Sequence, residues 1–202
     1  MVAAIHESEA AGDLYAAQNA HPLHAESRGG LDLAAGLMAA DEAIVFCAAR
    51  GVPGERVERD RLEMLVRAGR WDEASDVAGR LLEWGADHGD LMVELGARSA
   101  LAAVALGRAE PTGPLDELST LGRSVGQPVA SSAILVATAA LVGGDPRAAL
   151  EALEEAVDEA PANSIDDLSV FVRLALRAGS KTLARRAFAL EARSVRARID
   201  LG

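Results

Sequence analysis

From Trp71 onward the apolar positions are Trp71, Ala74, Val77, Ala78, Leu81 and Leu82, a spacing that lines one stripe of a helix. The same spacing returns at Ala149, Ala152, Leu153, Ala156 and Val157. A glycine-centred break precedes each stripe, "LVRAGRWDEA" from Leu65 and "LVGGDPRAAL" from Leu141. Two further breaks share the form, "VALGRAEPTG" from Val104 and "ALRAGSKTLA" from Ala175. Their glycines, Gly69, Gly107, Gly144 and Gly179, are separated by 38, 37 and 35 residues. In three of the four an alanine follows five residues later, at Ala74, Ala149 and Ala184. The second copy departs, carrying Pro111 and Pro114 and starting its next helix later. A period in the mid-thirties is one helix pair per repeat.

The breaks have readable mechanics. Glycine closes a helix because it accepts the left-handed conformation at the residue after the cap. Acidic residues such as Asp72 and Glu73 then begin the next helix, where they suit the positive end of its dipole. Asp145-Pro146 reads as an N-cap followed by a first-turn proline, and Gly113-Pro114 reads similarly. Ser164 with Asp167 forms a candidate capping box. The segments "ARSALAAVALG" and "SSAILVATAALVG", each running into a break, are apolar almost all round, which predicts helices held between neighbours. One buried and one outer helix per repeat is how a helical solenoid is assembled, here with about five antiparallel pairs. Upstream, "GLDLAAGLMAADEAIVFCAARG" predicts a long outer helix ending at Gly51, and residues 1–11 read as the last turns of an earlier helix. The array thus opens in mid-repeat, and we expect residues 1–202 to be a single helical-repeat domain from a larger protein.

Composition narrows the fold class. Half the chain is hydrophobic but only 3% is aromatic, so Ala, Leu and Val supply the apolar mass. Ala and Leu favour helices, and an all-α fold is expected. The longest apolar run, residues 133–142, is about half the length of a membrane span and reads as a buried helix. The start, "MVAAIHESEAAGD", lacks the basic and apolar regions of a signal peptide. A single cysteine, Cys47, can neither form an internal disulfide nor build a metal site alone, which fits a reducing cytoplasm. Nineteen arginines against one lysine, Lys181, together with abundant Ala and Gly, suggest a GC-rich bacterial genome.

Charge changes the expected partners. A net charge of −11 argues against broad binding of phosphate backbones. The distribution is uneven. Residues 1–163 carry 12 basic and 27 acidic side chains, net −15, whereas residues 164–202 carry 8 and 4, net +4. The basic residues of that end are Arg173, Arg177, Lys181, Arg185, Arg186, Arg193, Arg196 and Arg198. A solvated helix face is the plain explanation; docking of another domain or of the acidic body of a second copy ranks ahead of nucleic acid. No aromatic side chains interleave the arginines to stack bases.

One segment carries a resemblance. "RDRLEMLVRAGRWDEASDVAGRLLEWGADHGD", residues 59–90, followed by "ARSALAAVALGR", residues 97–108, resembles the tetratricopeptide-like C-terminal region of bacterial LuxR-type regulators with a STAND-class ATPase, and of related ATPase-bearing adenylate cyclases. The likeness rests on Arg61-Leu62-Glu63, the turn from Gly69 to Ala74, Trp84, Gly89-Asp90 and Arg98, with "GLMAADEAIVFCAARG" as the preceding helix. It is clear over roughly residues 30–110 and extends as a pattern to about 195. The resemblance implies a right-handed superhelix that senses an inducer or partner and restrains an ATPase. This sequence contains no P-loop and no helix-turn-helix after the array, so only the scaffold and a binding role carry over. The family motif names no ligand residues.

Candidate chemistry is sparse. "GRSVG", residues 122–126, matches the pattern of a nucleophile elbow around Ser124, but a helical segment precedes it and all four histidines lie upstream. It reads as a loop between repeats. "GSKT", residues 179–182, looks like the tail of a phosphate loop, without its upstream glycine or strand; Lys181 reads as solvated in a helix–helix turn. His21 and His24, with Glu26 nearby, could supply two ligands of a metal site, but zinc takes at least three and Pro22 bends the segment. These read as surface or packing histidines, and His88 as part of a turn. Trp71 and Trp84 are candidate partner anchors, though at helical spacing beside Ala and Leu they read as inter-repeat packing.

The expected function is therefore a non-catalytic, cytoplasmic module for protein interaction and signal sensing in a bacterial transcription regulator. Binding is expected on the concave face lined by the first helix of each pair. Neither cofactor nor metal nor membrane nor direct nucleic-acid contact is expected; the partners are a protein or other domains of the parent regulator, a small-molecule inducer and, in self-association, a homodimer. A stand-alone small-molecule sensor or adaptor is the alternative, and a hydrolase using Ser124 ranks behind both.

Overall fold

The apolar stripes read from the chain all become helices. The computed structural model describes residues 32–113, 115–124, 130–159 and 165–199, with scattered positions before Asp32. Its helices are α1 (Leu33–Arg50), α2 (Glu55–Arg67), α3 (Trp71–His88), α4 (Leu91–Gly107), α5 (Leu115–Ser124), α6 (Ala130–Val142), α7 (Pro146–Glu159), α8 (Ile165–Arg177) and α9 (Lys181–Ile199). Among the described residues there is no strand. The fold is all-α. No helix among them is long and apolar enough to cross a membrane.

Two compact units form, Met1–Val104 and Ala105–Gly202, with the division inside α4. In the first, α2 packs against α1 and α3 around Phe46, Leu62, Leu65, Val77 and Leu81, joined by Val93 and Ala97 of α4. In the second, α6 packs against α5, α7 and α8, and α8 against α9, around Leu153, Phe171, Leu174 and Leu183. Having three neighbours explains why α6 is apolar all round: from Ser132 to Leu141 every side chain is buried or half-buried. The alanine that recurs five residues after the turn is buried in each case, at Ala74, Ala149 and Ala184. Buried alanines at this position let neighbouring backbones approach closely.

The turns show how each helix ends. Gly69 has φ 72°, and its N–H donates to the Val66 carbonyl at 3.1 Å while the Arg70 N–H donates to Leu65 at 3.0 Å. This double bond pattern satisfies carbonyls that the helix end leaves open. It recurs from Gly144 and Asp145 to Leu141 and Ala140, and from Gly179 and Ser180 to Leu176 and Ala175. After two of these turns the next helix is capped by a side chain: Asp145 Oδ1 accepts from the Arg147 and Ala148 N–H groups, and Ser180 Oγ from Leu183, whereas Arg70 ahead of α3 makes no such bond. Asp32 and Asp90 cap α1 and α4 in the same manner as Asp145.

The second turn corrects the sequence reading. Gly107 is the last residue of α4, and the left-handed residue is Ala109, with φ 56°. Ala109 and Glu110 donate to Leu106 and Ala105 at 3.2 and 2.8 Å, the pattern of the sister turns. Hydrogen-bond closure, with Pro111 stopping the helix just beyond, placed the joint two residues later than the glycine. An alanine there is strained. Ala109→Gly is expected to stabilise the protein by about 0.5–1 kcal/mol, and Gly144→Ala to destabilise it by about 1 kcal/mol, in urea unfolding. Ser164, Pro114, Pro22 and Glu26 lie outside the described residues.

Candidate interaction site

Polar side chains tie the first unit together through α2. Arg61, on α2, reaches Asp41 of α1 at 2.6 Å and Glu73 of α3 at 2.8 Å, and Arg70 also pairs with Glu73. The Arg61 side chain is only 14% exposed. Burial works against its cation, but the bonds to Glu73 and Asp41 outweigh that and push its pKa up. The hydrogen bond from Arg61 in turn holds the Glu73 carboxyl below its usual range, against a small desolvation effect. Further along α2, Arg56 meets Asp90, the cap of α4, at 3.3 Å, and Glu58 meets Arg80 of α3 at 3.5 Å. Burial would raise the Asp90 pKa, yet the Val93 N–H, the Arg56 guanidinium and the Met92 N–H together lower it. Arg61, Glu73, Gly89 and Asp90 thus act as joints, as the tight turns around them do.

The Arg61 cluster has a pH signature. Because Glu73 has a lowered pKa in the folded state, its contribution is complete above the ordinary glutamate range. It is lost as pH falls through the lowered value. Arg61→Met is expected to cost about 1–3 kcal/mol near neutral pH. Urea melts at successively lower pH should show the gap between wild type and variant closing in acid.

The second unit holds a shallow pocket of about 290 Å³. Ser119, Thr120 and Arg123 of α5, Ala133 and Val136 of α6, and Ala152 and Glu155 of α7 line it. Arg123 Nη1 and Glu155 Oε1 are 2.9 Å apart, both about half exposed. Small apolar side chains, two hydroxyls and one ion pair can receive a small polar ligand or a stretch of peptide. Its size lies at the lower limit for ligand pockets. Nothing in the sequence indicates this grouping, since three helices contribute to it.

Among the described residues, those singled out by sequence lie apart from one another. Ser124 is exposed at the end of α5, and its hydroxyl donates to the Leu121 carbonyl at 2.7 Å; residues 125 and 126 of its motif lie outside the described set. A nucleophile elbow needs a strand-to-helix turn, and Ser124 closes a helix instead. Ser180 caps α9, and Lys181 is exposed at its first position. The His21 ring lies 4.4 Å from that of Phe46, beneath which Arg50 packs at 3.8 Å from the ring centre. Among the described residues no three His, Cys, Asp or Glu side chains are grouped to hold a metal. Trp71 packs on the first core and donates through Nε1 to the Val66 carbonyl at 3.3 Å. Trp84 also packs there and stacks on His88 at 4.3 Å. Cys47 is buried, and burial, with Glu55 nearby, raises its thiol pKa away from reactivity despite Arg50. Of the basic end, Arg173, Arg177, Lys181, Arg185 and Arg186 are exposed; the side chains of Arg193, Arg196 and Arg198 lie outside the described set.

Fold and site together define, over the described residues, an all-helical protein built from helical hairpins. No protein-family model, curated protein or solved structure matches the chain.

Proposed function

We propose that the chain is the interaction and signal-sensing module of a bacterial transcription regulator of the LuxR/STAND type, its hairpins winding as a right-handed tetratricopeptide-like solenoid. The observation that carries this reading is the recurring hairpin: a helix closed by a left-handed glycine, then a helix with a buried alanine five residues on. Such units spend their apolar surface on one another and present side chains in rows to a partner. The joint residues of the family-like segment, Arg61, Glu73, Gly89 and Asp90, support the same reading by linking successive helices. The partner is another domain of the parent regulator or a separate protein, met on the concave face lined by the first helix of each pair, in the cytoplasm.

The parent gene's complete reading frame tests this. It is expected to encode a P-loop ATPase ahead of the array and a DNA-binding or cyclase domain; a frame encoding neither would overturn the regulator reading. The pocket beside Arg123 and Glu155 favours a second reading, a small-molecule sensor. A compound library should then raise the melting temperature of the wild-type chain and leave that of Val136→Trp, which fills the pocket, unchanged. Hydrolysis through Ser124 ranks last; an ester-cleaving activity lost in Ser124→Ala would promote it.

A further inference from the structure

The last hairpin exposes positions that earlier hairpins bury. Nine residues beyond the left-handed turn residue, Ala78 and Leu153 are fully buried, whereas Phe188 is 62% exposed. Three residues before that turn residue, Val66 and Leu141 are half-buried, whereas Leu176 is 51% exposed. Leu176 lies on α8 and Phe188 on α9, two helices that pack together, and exposed cations flank each along its own helix: Arg173 and Arg177 beside Leu176, Lys181 and Arg185 ahead of Phe188. Exposed apolar side chains flanked by cations suit a helix whose apolar stripe is flanked by carboxylates.

The chain itself carries such a helix. On α1, Met38 and Val45 are 65% and 68% exposed and lie seven residues apart on one face. Between them on the same face stand Asp41 and Glu42, both exposed. Outward Met and Val with two acids between them form the counterpart, in size and sign, of the α8–α9 surface.

We infer that α8 and α9 of one molecule receive α1 of a second molecule, joining copies head to tail. Leu176 and Phe188 cover Met38 and Val45, and the arginines face Glu42 and the exposed side of Asp41, whose Oδ1 already accepts from Arg61. The contact is heterologous, so each copy retains one free surface of each kind and the assembly grows beyond a dimer unless the rotation closes a ring. It concerns copies of this chain and stands or falls apart from the regulator reading, which requires a different domain as partner.

Sedimentation velocity across the micromolar to millimolar range tests it with the full chain. Wild type should associate with concentration, beyond a dimer, and less so when salt rises from about 0.05 to about 0.5 M. Phe188→Glu, with Leu176→Glu as a second variant, should weaken association at least about tenfold. The double variant Met38→Lys/Val45→Lys should do the same, and all should keep the wild-type melting temperature because the positions are exposed. Each variant class lacks one half of the contact. Mixed in equal amounts, they should form a dimer that grows no further. A wild type that stays monomeric, a Phe188→Glu variant that associates normally, or a mixture that stays monomeric would each overturn the inference.

Discussion

Phe171→Ala is expected to destabilise the protein by about 3–5 kcal/mol, the loss seen when a large buried aromatic leaves a cavity. The chain has three phenylalanines, so each aromatic ring matters more than usual. Phe46 lies in the first core, Phe171 is 1% exposed in the second, and Phe188 is on the surface. Phe171 sits among Leu153, Leu174 and Leu183, with alanines supplying most of the remaining wall. Alanines have no side-chain length with which to fill the void. Marginally stable domains hold about 5–15 kcal/mol in all, so this one change removes a large share. Urea unfolding should show the loss, and hydrogen exchange should place it in α6 to α9. Phe188→Ala is the control, expected to stay within about 0.5 kcal/mol of wild type. Equal losses from both variants would contradict the assignment of the second core.

Gly36→Ala is expected to be destabilising by about 1–3 kcal/mol or more, although helix propensity alone says it should stabilise by about 1 kcal/mol. The sign is therefore diagnostic. A Cβ on Gly36 would lie 2.4 Å from the Gly29 Cα, 2.6 Å from the Gly29 nitrogen and 2.9 Å from the Met64 sulfur. The first two are backbone atoms and cannot turn aside as a side chain can. Gly79, in the middle of α3, provides the contrast, because a Cβ there meets nothing within 4 Å. Gly79→Ala should stabilise the protein by about 1 kcal/mol. Opposite signs for the two substitutions in urea melts would confirm that Gly36 is retained for close approach.

The contrast between these glycines shows what a sequence can and cannot disclose. Both stand inside helical patterns, and nothing local separates them; the difference is that another backbone crosses at Gly36. Similarly, Arg61 and Glu73 are legible as members of a family-like segment, but their pairing across twelve residues needs α2 and α3 folded side by side. Gly107 was the obvious terminator by residue type, yet the chain closed its helix at Ala109. Local preference worth about 1 kcal/mol yields there to hydrogen-bond closure and the proline that follows.

The sequence by itself determined the helical class, the apolar stripes of α3 and α7, three of the four turns, and the cap at Asp145. These depend on contacts within a few residues, where backbone geometry and side-chain type suffice. Tertiary structure alone decided that α2 carries the ion pairs that link it to α1, α3 and the start of α4, that α5, α6 and α7 line a pocket, and that Phe188 lies outside while Phe171 lies within. Each of those depends on which helices become neighbours. A stripe of alanine and leucine tells a helix to bury one side, and the same stripe serves against many partners. Only packing assigns the partner, and with it the surfaces left open to others.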